Sequence, residues 1–217
     1  MTPSAVDIAI IDYGMGNLHS VAKALEKVAG GKAVSVTSDP AVVARAGRVI
    51  FPGQGAMPDC MHELARRGLT QAVLEAAVNK PFMGLCIGQQ MLFEHSDEGN
   101  VPGLGILPGN VVRFPMPSEM QQADGTYLKV PHMGWNTVYQ QAGHPMWQEI
   151  ENGARFYFVH SYYVVPKVQQ LAAATTDYGV NFTSAVSRDN IFTVQFHPEK
   201  SAAAGLTLLR NFVHWKP

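Results

Sequence analysis

The chain is poor in charged residues and has no excess of either sign. Of its 217 residues, 16 are Lys or Arg and 17 are Asp or Glu, which leaves a formal net charge of -1. Electrostatic binding of nucleic acid or of an anionic membrane needs a basic surface, and this composition supplies none. Long apolar runs are also missing, since none approaches the roughly 20 residues that cross a bilayer. We therefore expect neither a nucleic-acid partner nor a membrane-bound protein.

Cysteine is equally scarce. Cys60 and Cys86 are the only two, too few for a disulfide framework. Residues 1–7 show no basic region leading into an apolar stretch, so we predict no export signal and expect a reduced, cytoplasmic protein. The Cys, His, Asp and Glu residues show no spacing typical of a metal site. The sequence therefore predicts neither a metal nor a cofactor.

The first half of the chain does have alternating strand and helix patterns. With 47% hydrophobic residues, the chain can bury a large core, and its length fits one domain, residues 1–217. Apolar runs predict buried strands at 6–11, 33–37, 48–51 and just before Cys86, with helical spacing between them, including at 58–67 and 70–79. This alternation is typical of a parallel, doubly wound sheet.

The second half changes character. Apolar and aromatic runs predict strands at 110–114, 155–159, 183–186 and 191–196, with a hairpin turn at Asp189 and Asn190. Residues 116–126 are predicted to be a polar loop, and residues 201–215 a closing helix. The full pattern predicts an α/β fold in three layers, built on a doubly wound, mostly parallel sheet with an antiparallel extension.

A single short segment carries the strongest chemical signal. Gly84-Leu85-Cys86-Ile87-Gly88 follows an apolar strand and precedes a predicted helix. A nucleophile flanked in this way by glycines is typical of a nucleophile elbow, a tight strand-to-helix turn. The glycines leave room for a strained backbone and for close neighbours, and a helix N-terminus favours the thiolate form of cysteine. Cys86 is therefore the predicted nucleophile.

The second signal is His197-Pro198-Glu199, at the end of another predicted strand. A cysteine nucleophile needs a base that takes its proton and later returns it, and that base needs a third group to fix its tautomer. His197 and Glu199 have the right chemistry for these two roles. Alone, the run is more typical of a surface turn. Together with the Cys86 elbow, it predicts a Cys-His-Glu triad.

The third signal is Pro52-Gly53-Gln54-Gly55, also at a strand end. Gly53 allows a backbone amide to turn toward a developing oxyanion, and the amides of Gln54 and Ile87 would form a suitable donor pair. The alternative is an ordinary loop with turn glycines.

These three motifs, with the run Phe196 to Ser201, resemble the class I (triad-type) glutamine amidotransferases, over essentially the whole chain and in the same order. Three further segments, 12–17, 129–136 and 156–163, are similar to one branch of that family. This branch contains the glutaminase subunits of imidazole glycerol phosphate synthases, which act in histidine biosynthesis. The run Pro-His-Met-Gly-Trp-Asn at 131–136 is the most specific of the three.

The resemblance implies a role for each motif residue. Cys86 attacks the side-chain amide of glutamine, with His197 as base and then acid and Glu199 orienting it. Ammonia leaves, and water hydrolyses the remaining glutamyl thioester to glutamate. Gln90 and backbone groups near Ser161 and Tyr162 match the positions that contact the substrate glutamine. The Gly53–Gln54 peptide matches a switch that forms the oxyanion site only when the acceptor site signals.

The resemblance also implies a partner. A separate (β/α)₈-barrel synthase/cyclase subunit receives the ammonia and makes imidazole glycerol phosphate and an aminoimidazole carboxamide ribotide, so that the enzyme is a heterodimer. Asn17, Trp135 and Lys200 match family positions near that interface. Ammonia released into water is protonated and diluted, which independently favours a donor docked on its acceptor. The length of the chain leaves no space for a second synthase domain, so we expect the acceptor to be another chain.

Other functions stay open from the sequence. The acceptor could be the synthase of anthranilate, aminodeoxychorismate, guanylate or pyridoxal phosphate. The chain could also be a non-catalytic scaffold on this fold or a stand-alone hydrolase of γ-glutamyl compounds. Among the remaining candidates, Cys60 is predicted to be a structural or partly exposed thiol. For His132 and His160, a structural role and a role in a pocket or interface are about equally favoured.

Overall fold

Strands and helices alternate through the first half of the chain, as the sequence predicts. The computed structural model describes residues 6–122, 124–141 and 143–217. Its first strands are β1 (Ile8–Ile11), β2 (Val34–Thr37), β3 (Arg48–Gly53) and β4 (Phe82–Cys86). The helices between and after them are α1 (Leu18–Val28), α2 (Pro40–Arg45), α3 (Met57–Arg66), α4 (Thr70–Asn79) and α5 (Ile87–Gln90).

The second half is mainly strands and closes with one long helix. The short strands are β5 (His95–Ser96), β6 (Val101–Pro102) and β9 (Tyr139–Gln140). The longer ones are β7 (Gly109–Arg113), β8 (His132–Thr137), β10 (Arg155–His160), β11 (Tyr162–Pro166), β12 (Ala172–Asp177), β13 (Asn181–Arg188) and β14 (Ile191–Val194). The helix α6 (Ala202–His214) ends the fold.

The main sheet is parallel on one side and antiparallel on the other. Its strand order is β2-β1-β3-β4-β14-β13-β11-β7-β5-β6. The first five strands are mutually parallel, and β13, β11 and β7 continue the sheet with antiparallel pairing. The predicted fold class is confirmed. Because the carboxyl ends of parallel strands meet at one edge, the segments that follow β3, β4 and β14 come together there.

Alternate residues of β1 enter two different apolar cores. Ile8 and Ile10 pack on the face covered by α1 and α6. Ala9 and Ile11 pack on the opposite face, which α3 and α4 cover. Successive side chains of a strand point to opposite faces, so a strand that is apolar throughout must be covered on both sides. This explains the three layers that surround the sheet.

The hairpin turn at Asp189 and Asn190 joins β13 to β14 as predicted, with Arg188 opposite Ile191. Asp189 has a φ of 51°, a left-handed conformation that Asp tolerates better than most residues. The strand predicted over 191–196 ends earlier, at Val194. Gln195 and Phe196 nevertheless remain buried, since the chain continues into the core before it reaches the surface.

β8, β11 and β12 are longer strands that the sequence did not predict, and β8 pairs with β10 in a separate two-stranded sheet. All six residues of β8 oppose residues of β10, with His132 opposite His160 and Trp135 opposite Tyr157. The predicted polar loop at 116–126 holds a short 3-10 turn, Pro117–Glu119, and a bridge from Gln121 to Tyr127; its residue 123 lies outside the described residues. Over the part of the chain that the structure describes, no helix is long and apolar enough to cross a membrane.

Candidate active site

Cys86 occupies a strained turn at the end of β4. Its φ of 55° and ψ of -113° lie in a region where residues other than glycine are rarely found. Backbone strain of this kind costs about 1–3 kcal/mol. The flanking glycines are required by contact. A Cβ at Gly88 would overlap the carbonyl oxygen of Phe51, and one at Gly84 would press on the Gly88 carbonyl. The sequence motif therefore gives the geometry of a nucleophile elbow.

The helix after the elbow is shorter than the motif suggests. α5 covers only Ile87–Gln90, and turns follow it. A macrodipole is the sum of many aligned peptide dipoles, so four residues supply only a small part of the expected effect. Any positive charge that favours a thiolate at Cys86 must therefore come mainly from a neighbouring side chain, and His197 is the candidate.

His197 is held against Glu199 in a nearly closed site. Nδ1 of His197 lies 2.9 Å from Oε1 of Glu199, and the two side chains are only 7% and 2% exposed. Glu199 accepts a hydrogen bond from Nδ1, and Nε2 has no hydrogen-bond partner among the described residues. His197 and Cys86 line the same cavity. Burial alone lowers the pKa of His197, but Cys86 and Glu199 together outweigh burial and raise that pKa to about 10. At neutral pH the arrangement therefore favours a protonated, positively charged His197.

The backbone around His197 is fixed from two sides. Its N–H donates to the Tyr157 carbonyl of β10 over 2.9 Å. The Ser201 hydroxyl donates to the His197 carbonyl over 2.6 Å and accepts from the Tyr157 N–H over 3.0 Å. Gly205 lets α6 lie directly against this turn, because a Cβ there would overlap the Pro198 carbonyl oxygen. The imidazole is therefore positioned by the second half of the chain.

The loop after β3 runs beside the nucleophile. Gly53 is in register with Cys86 across the parallel β3–β4 pair. The Tyr13 hydroxyl packs directly on Gly53, where a Cβ would overlap it, so close approach explains this glycine. The Sγ of Cys60 donates to the Gln54 carbonyl over 3.8 Å. Burial raises the pKa of the Cys60 thiol to about 11, which keeps it protonated as a donor.

Most of the predicted site residues line one cavity of about 290 Å³. Those that line it are Gln54, Cys86, Ile87, Gln90, Ser161, Tyr162 and His197. Gly53 and Glu199 lie behind this cavity and line a small second one together with Asn17 and His197. The structure thus brings together the predicted nucleophile, base, oxyanion loop and substrate contacts. Within the described residues, no group of three or more His, Cys, Asp or Glu side chains could hold a metal ion.

The three predicted interface residues lie around the same edge. Trp135 is 44% exposed on β8, and its ring centroid is 6.3 Å from that of Tyr157. The Nζ of Lys200 lies 6.0 Å from the centre of the same tyrosine ring. Asn17 is exposed, and its side chain caps α1 by accepting from the Ser20 N–H over 3.3 Å. Part of the role of Asn17 is therefore structural.

Two contacts in and near the site were not predicted from the sequence, although His132 and His160 had each been given a structural role or a pocket or interface role. Gln195 is fully buried, and its Nε2 lies 3.7 Å from Sγ of Cys86. His160 and His132 form a buried pair, with Nε2 of the first 2.9 Å from Nδ1 of the second. The signal for Gln195 was available, because residues two apart on an extended segment share a face, and Gln195 precedes His197 by two positions.

A known family matches almost the whole chain. The model of the glutamine amidotransferase class-I family matches residues 9–215. The chain is 70% identical over 211 residues to the imidazole glycerol phosphate synthase subunit HisH of Aromatoleum aromaticum, covering 97% of this chain and 99% of the relative. It is 65% identical over 217 residues to the HisH subunit of Dechloromonas aromatica, with both chains covered completely. The chain belongs to the HisH branch of the class I glutamine amidotransferases.

Membership in the HisH branch confirms the resemblance drawn from the sequence motifs. The chain is a glutamine amidotransferase, and as a HisH protein it is the glutaminase subunit of an imidazole glycerol phosphate synthase, so a partner subunit is implied. A solved glutamine amidotransferase shares the fold with a TM-score of 0.69 at 16% identity, over 95% of this chain and 97% of that chain.

Proposed function

We propose that this HisH chain hydrolyses glutamine through Cys86, His197 and Glu199 and passes the ammonia to a (β/α)₈-barrel synthase/cyclase subunit. That subunit uses it in histidine biosynthesis to make imidazole glycerol phosphate and aminoimidazole carboxamide ribotide. The observation that carries the proposal is the strained Cys86 turn facing an imidazole that a buried carboxylate already holds. We also propose that residues 1–217 act as one glutamine amidotransferase domain.

The proposed chemistry starts from a Cys86 thiolate beside a His197 imidazolium. The Cys86 sulfur attacks the side-chain amide carbon of glutamine, and the amides of Gln54 and Ile87 stabilise the oxyanion that forms. The His197 imidazolium gives its proton to the departing nitrogen, so that ammonia leaves and a thioester remains. His197, now neutral, takes a proton from water, which attacks the thioester. The carbon–sulfur bond breaks, glutamate leaves, and the sulfur carries away the electron pair as a thiolate.

The substrate binds to the wall of the cavity opposite the loop that follows β3. Gln90, on α5, and the backbone of Ser161 and Tyr162 line that wall. The Oε1 atom of Gln90 is buried and has no hydrogen-bond partner among the described residues, so this wall contains an acceptor that is still unsatisfied. Backbone and amide groups suit the charged α-carbon end of glutamine, because they bind ammonium and carboxylate groups without adding a charge of their own.

The partner surface is the edge that carries Asn17, Trp135 and Lys200. Exposed apolar side chains mark sites of protein association, and on β8 both Met133 and Trp135 are exposed. A barrel docked here would meet the small cavity behind the triad, which Asn17, Gly53 and Glu199 line. We propose that the two chains form a heterodimer in the cytoplasm, where the free thiols of Cys60 and Cys86 stay reduced.

A glutaminase that serves another acceptor is the second candidate. The seven curated relatives of 54 to 70% identity are all named as HisH subunits, which favours the imidazole glycerol phosphate acceptor. Because docking depends on surface residues, the acceptor is best identified by experiment.

The deciding experiment measures glutamate release by the chain alone, with a candidate barrel synthase, and with the synthase plus its nucleotide ligand. Strong stimulation only in the complete mixture supports a gated glutaminase with that partner. High activity alone, unchanged by the mixture, would instead support a stand-alone hydrolase. The Cys86→Ala variant in the same mixtures controls for contaminating glutaminases.

A further inference from the structure

Gln195 lies between the nucleophile Cys86 and Gln90 in the substrate wall, and no step of the proposed reaction uses it. Its side chain is completely buried. Nε2 of Gln195 is 3.7 Å from Sγ of Cys86, and Oε1 of Gln195 is 2.9 Å from Nε2 of Gln90. A buried carboxamide with both ends engaged, one of them on a nucleophile, contributes more than packing, because each end makes a directional hydrogen bond.

The orientation of these amides is fixed by a backbone oxygen. The carbonyl of Tyr162 can only accept, and Nε2 of Gln90 donates to it over 3.0 Å. Nδ1 of His160 donates to the same oxygen over 2.8 Å. The amide nitrogen of Gln90 must therefore face Tyr162, and its second hydrogen points to Gln195.

The orientation of Gln195 follows from that of Gln90. Since Gln90 presents an N–H, Gln195 must offer its Oε1 to it, and its own NH₂ group then faces Cys86. The reverse orientation would set two NH₂ groups against each other and a carbonyl oxygen against the sulfur. Both of those contacts are repulsive, most of all when the sulfur is a thiolate. Only the first orientation lets each N–H face an acceptor, from the Tyr162 carbonyl through Gln90 and Gln195 to the Cys86 sulfur.

We propose that Gln195 is a further catalytic residue, which donates an N–H to the Cys86 thiolate and holds the Gln90 amide in the wall of the cavity. The role in turnover rests on the proposed glutaminase function, whereas the contact with the sulfur does not. The N–H stabilises the sulfur twice, as the attacking thiolate and as the thiolate that leaves the thioester. It stabilises the anion in addition to the imidazolium of His197.

The same hydrogen bonds decide whether Gln90 can donate to a ligand or only accept from it. Both hydrogens of the Gln90 amide are used, one by Tyr162 and one by Gln195. Its buried Oε1 can only accept and has no partner among the described residues, so any group that binds Gln90 at this atom must be a donor. In glutamine the donors are the α-ammonium group and the side-chain amide nitrogen. A carboxylate cannot bind at this atom.

The test compares Gln195→Met, which removes both contacts, with Gln195→Glu, which keeps an acceptor for Gln90 but removes the donor to sulfur. Alkylation of Cys86 by iodoacetamide, followed across pH in the wild-type chain and the variants, reports the thiolate without substrate or partner. Gln195→Met should lower the alkylation rate at neutral pH by about tenfold or more, the worth of a hydrogen bond to a charged group. Gln195→Glu should lower the rate further, because it places a second anion at the sulfur.

Steady-state glutaminase assays of the complex should give the opposite order for KM. Gln195→Met removes one of the two hydrogen bonds that hold the Gln90 amide and should raise the KM for glutamine by about tenfold, the cost of one lost contact. Gln195→Glu keeps Gln90 in place and should leave KM within a few fold while kcat falls. General damage to the site would move both quantities together in both variants, so the crossed order is specific to the proposed roles.

Gln89→Met is the matched control, because Gln89 is an equally buried glutamine whose Nε2, among the described residues, bonds only the Thr193 carbonyl, at 3.5 Å. Alkylation and KM in this variant should match the wild type within a few fold, and thermal melts of all variants check folding. Equal losses in Gln89→Met and Gln195→Met, or no loss in either, would overturn the inference. If the wild-type complex releases no glutamate while the alkylation difference persists, the proposed function fails and the Gln195 contact stands.

Discussion

The two halves of the chain build the active site by different means. In the parallel half, the nucleophile and the oxyanion loop end neighbouring strands in register, Gly53 opposite Cys86. Their geometry depends on a few adjacent residues, such as Gly84 and Gly88. In the second half, the base and the substrate wall depend on contacts between segments far apart in sequence. The reactive group is thus specified locally, and its surroundings are specified by long-range pairing.

Removal of the nucleophile should have the largest effect. It should separate the glutaminase activity of this chain from the synthase activity of its partner. Cys86→Ala should lower glutamine-dependent synthesis by the complex by a factor of about 10⁴ or more, because the remaining groups provide no covalent route. Synthesis from added ammonium salt should stay close to the wild-type rate. If both activities fall equally, Cys86 holds the structure instead of reacting.

Removal of the carboxylate tests the second half in the same way. Glu199→Gln keeps the shape of the side chain but removes the negative charge that stabilises the imidazolium, and its NH₂ group can favour the wrong tautomer, so glutaminase kcat should fall by about 10² to 10⁴. The activity of the complex across pH should also change shape, because Glu199 helps to raise the pKa of His197. A kcat within a few fold of wild type would exclude the proposed triad.

One glycine in each half should show comparable steric sensitivity. Gly88→Ala and Gly205→Ala each place a Cβ on a backbone carbonyl, of Phe51 and of Pro198 respectively. Overpacking of this kind lowers the free energy of unfolding by about 1–3 kcal/mol, measurable by denaturant titration. Gly143→Ala is the control, since no atom of the described residues beyond its chain neighbours lies within 4 Å of its added Cβ. Equal stability of all three variants would contradict these contacts.

The buried histidine pair should make the second half sensitive to acid. Burial lowers the pKa of His132 from 6.5 to about 4, and burial together with the neighbouring His132 lowers that of His160 from 6.5 to about 3. Below pH 6.5 these two histidines are protonated in the unfolded chain but stay neutral in the folded chain. The free energy of unfolding therefore falls as pH drops from 6.5 toward 4. The slope is about 1.4 kcal/mol per pH unit for each differing proton.

Denaturant titrations at several pH values measure this slope. His160→Gln should reduce it, because one of the two groups no longer titrates. Parallel stability curves for the wild type and the variant would show that the pair does not cause the acid sensitivity.

The smallest effect is expected at Cys60. Cys60→Ala removes a weak donor to the Gln54 carbonyl and leaves the loop held by Tyr13 and by β3, so glutaminase activity should stay within a few fold of wild type. A loss as large as that of Cys86→Ala would mean that the nucleophile was assigned to the wrong cysteine. The assay is glutamate release by the stimulated complex.

The same division decided what could be predicted from the sequence. The elbow was predictable because each glycine has a local steric reason, and α4 was predicted with its observed bounds, Thr70–Asn79. β8 was missed because its identity as a strand comes from pairing with β10, some twenty residues later, while its own sequence contains Gly134 and Asn136. Gln195 was treated only as part of a strand, since its partners Cys86 and Gln90 are about a hundred positions away.

The carbonyl oxygen of Tyr162 accepts from His160 and from Gln90 at once. A backbone atom of this kind is present whatever side chain stands at the position. An alanine scan of the cavity would therefore pass over it, and sequence drift at residue 162 would leave it intact. Only a change in the path of β11 can remove it, so efforts to redesign substrate preference should move the strand and keep the side chain.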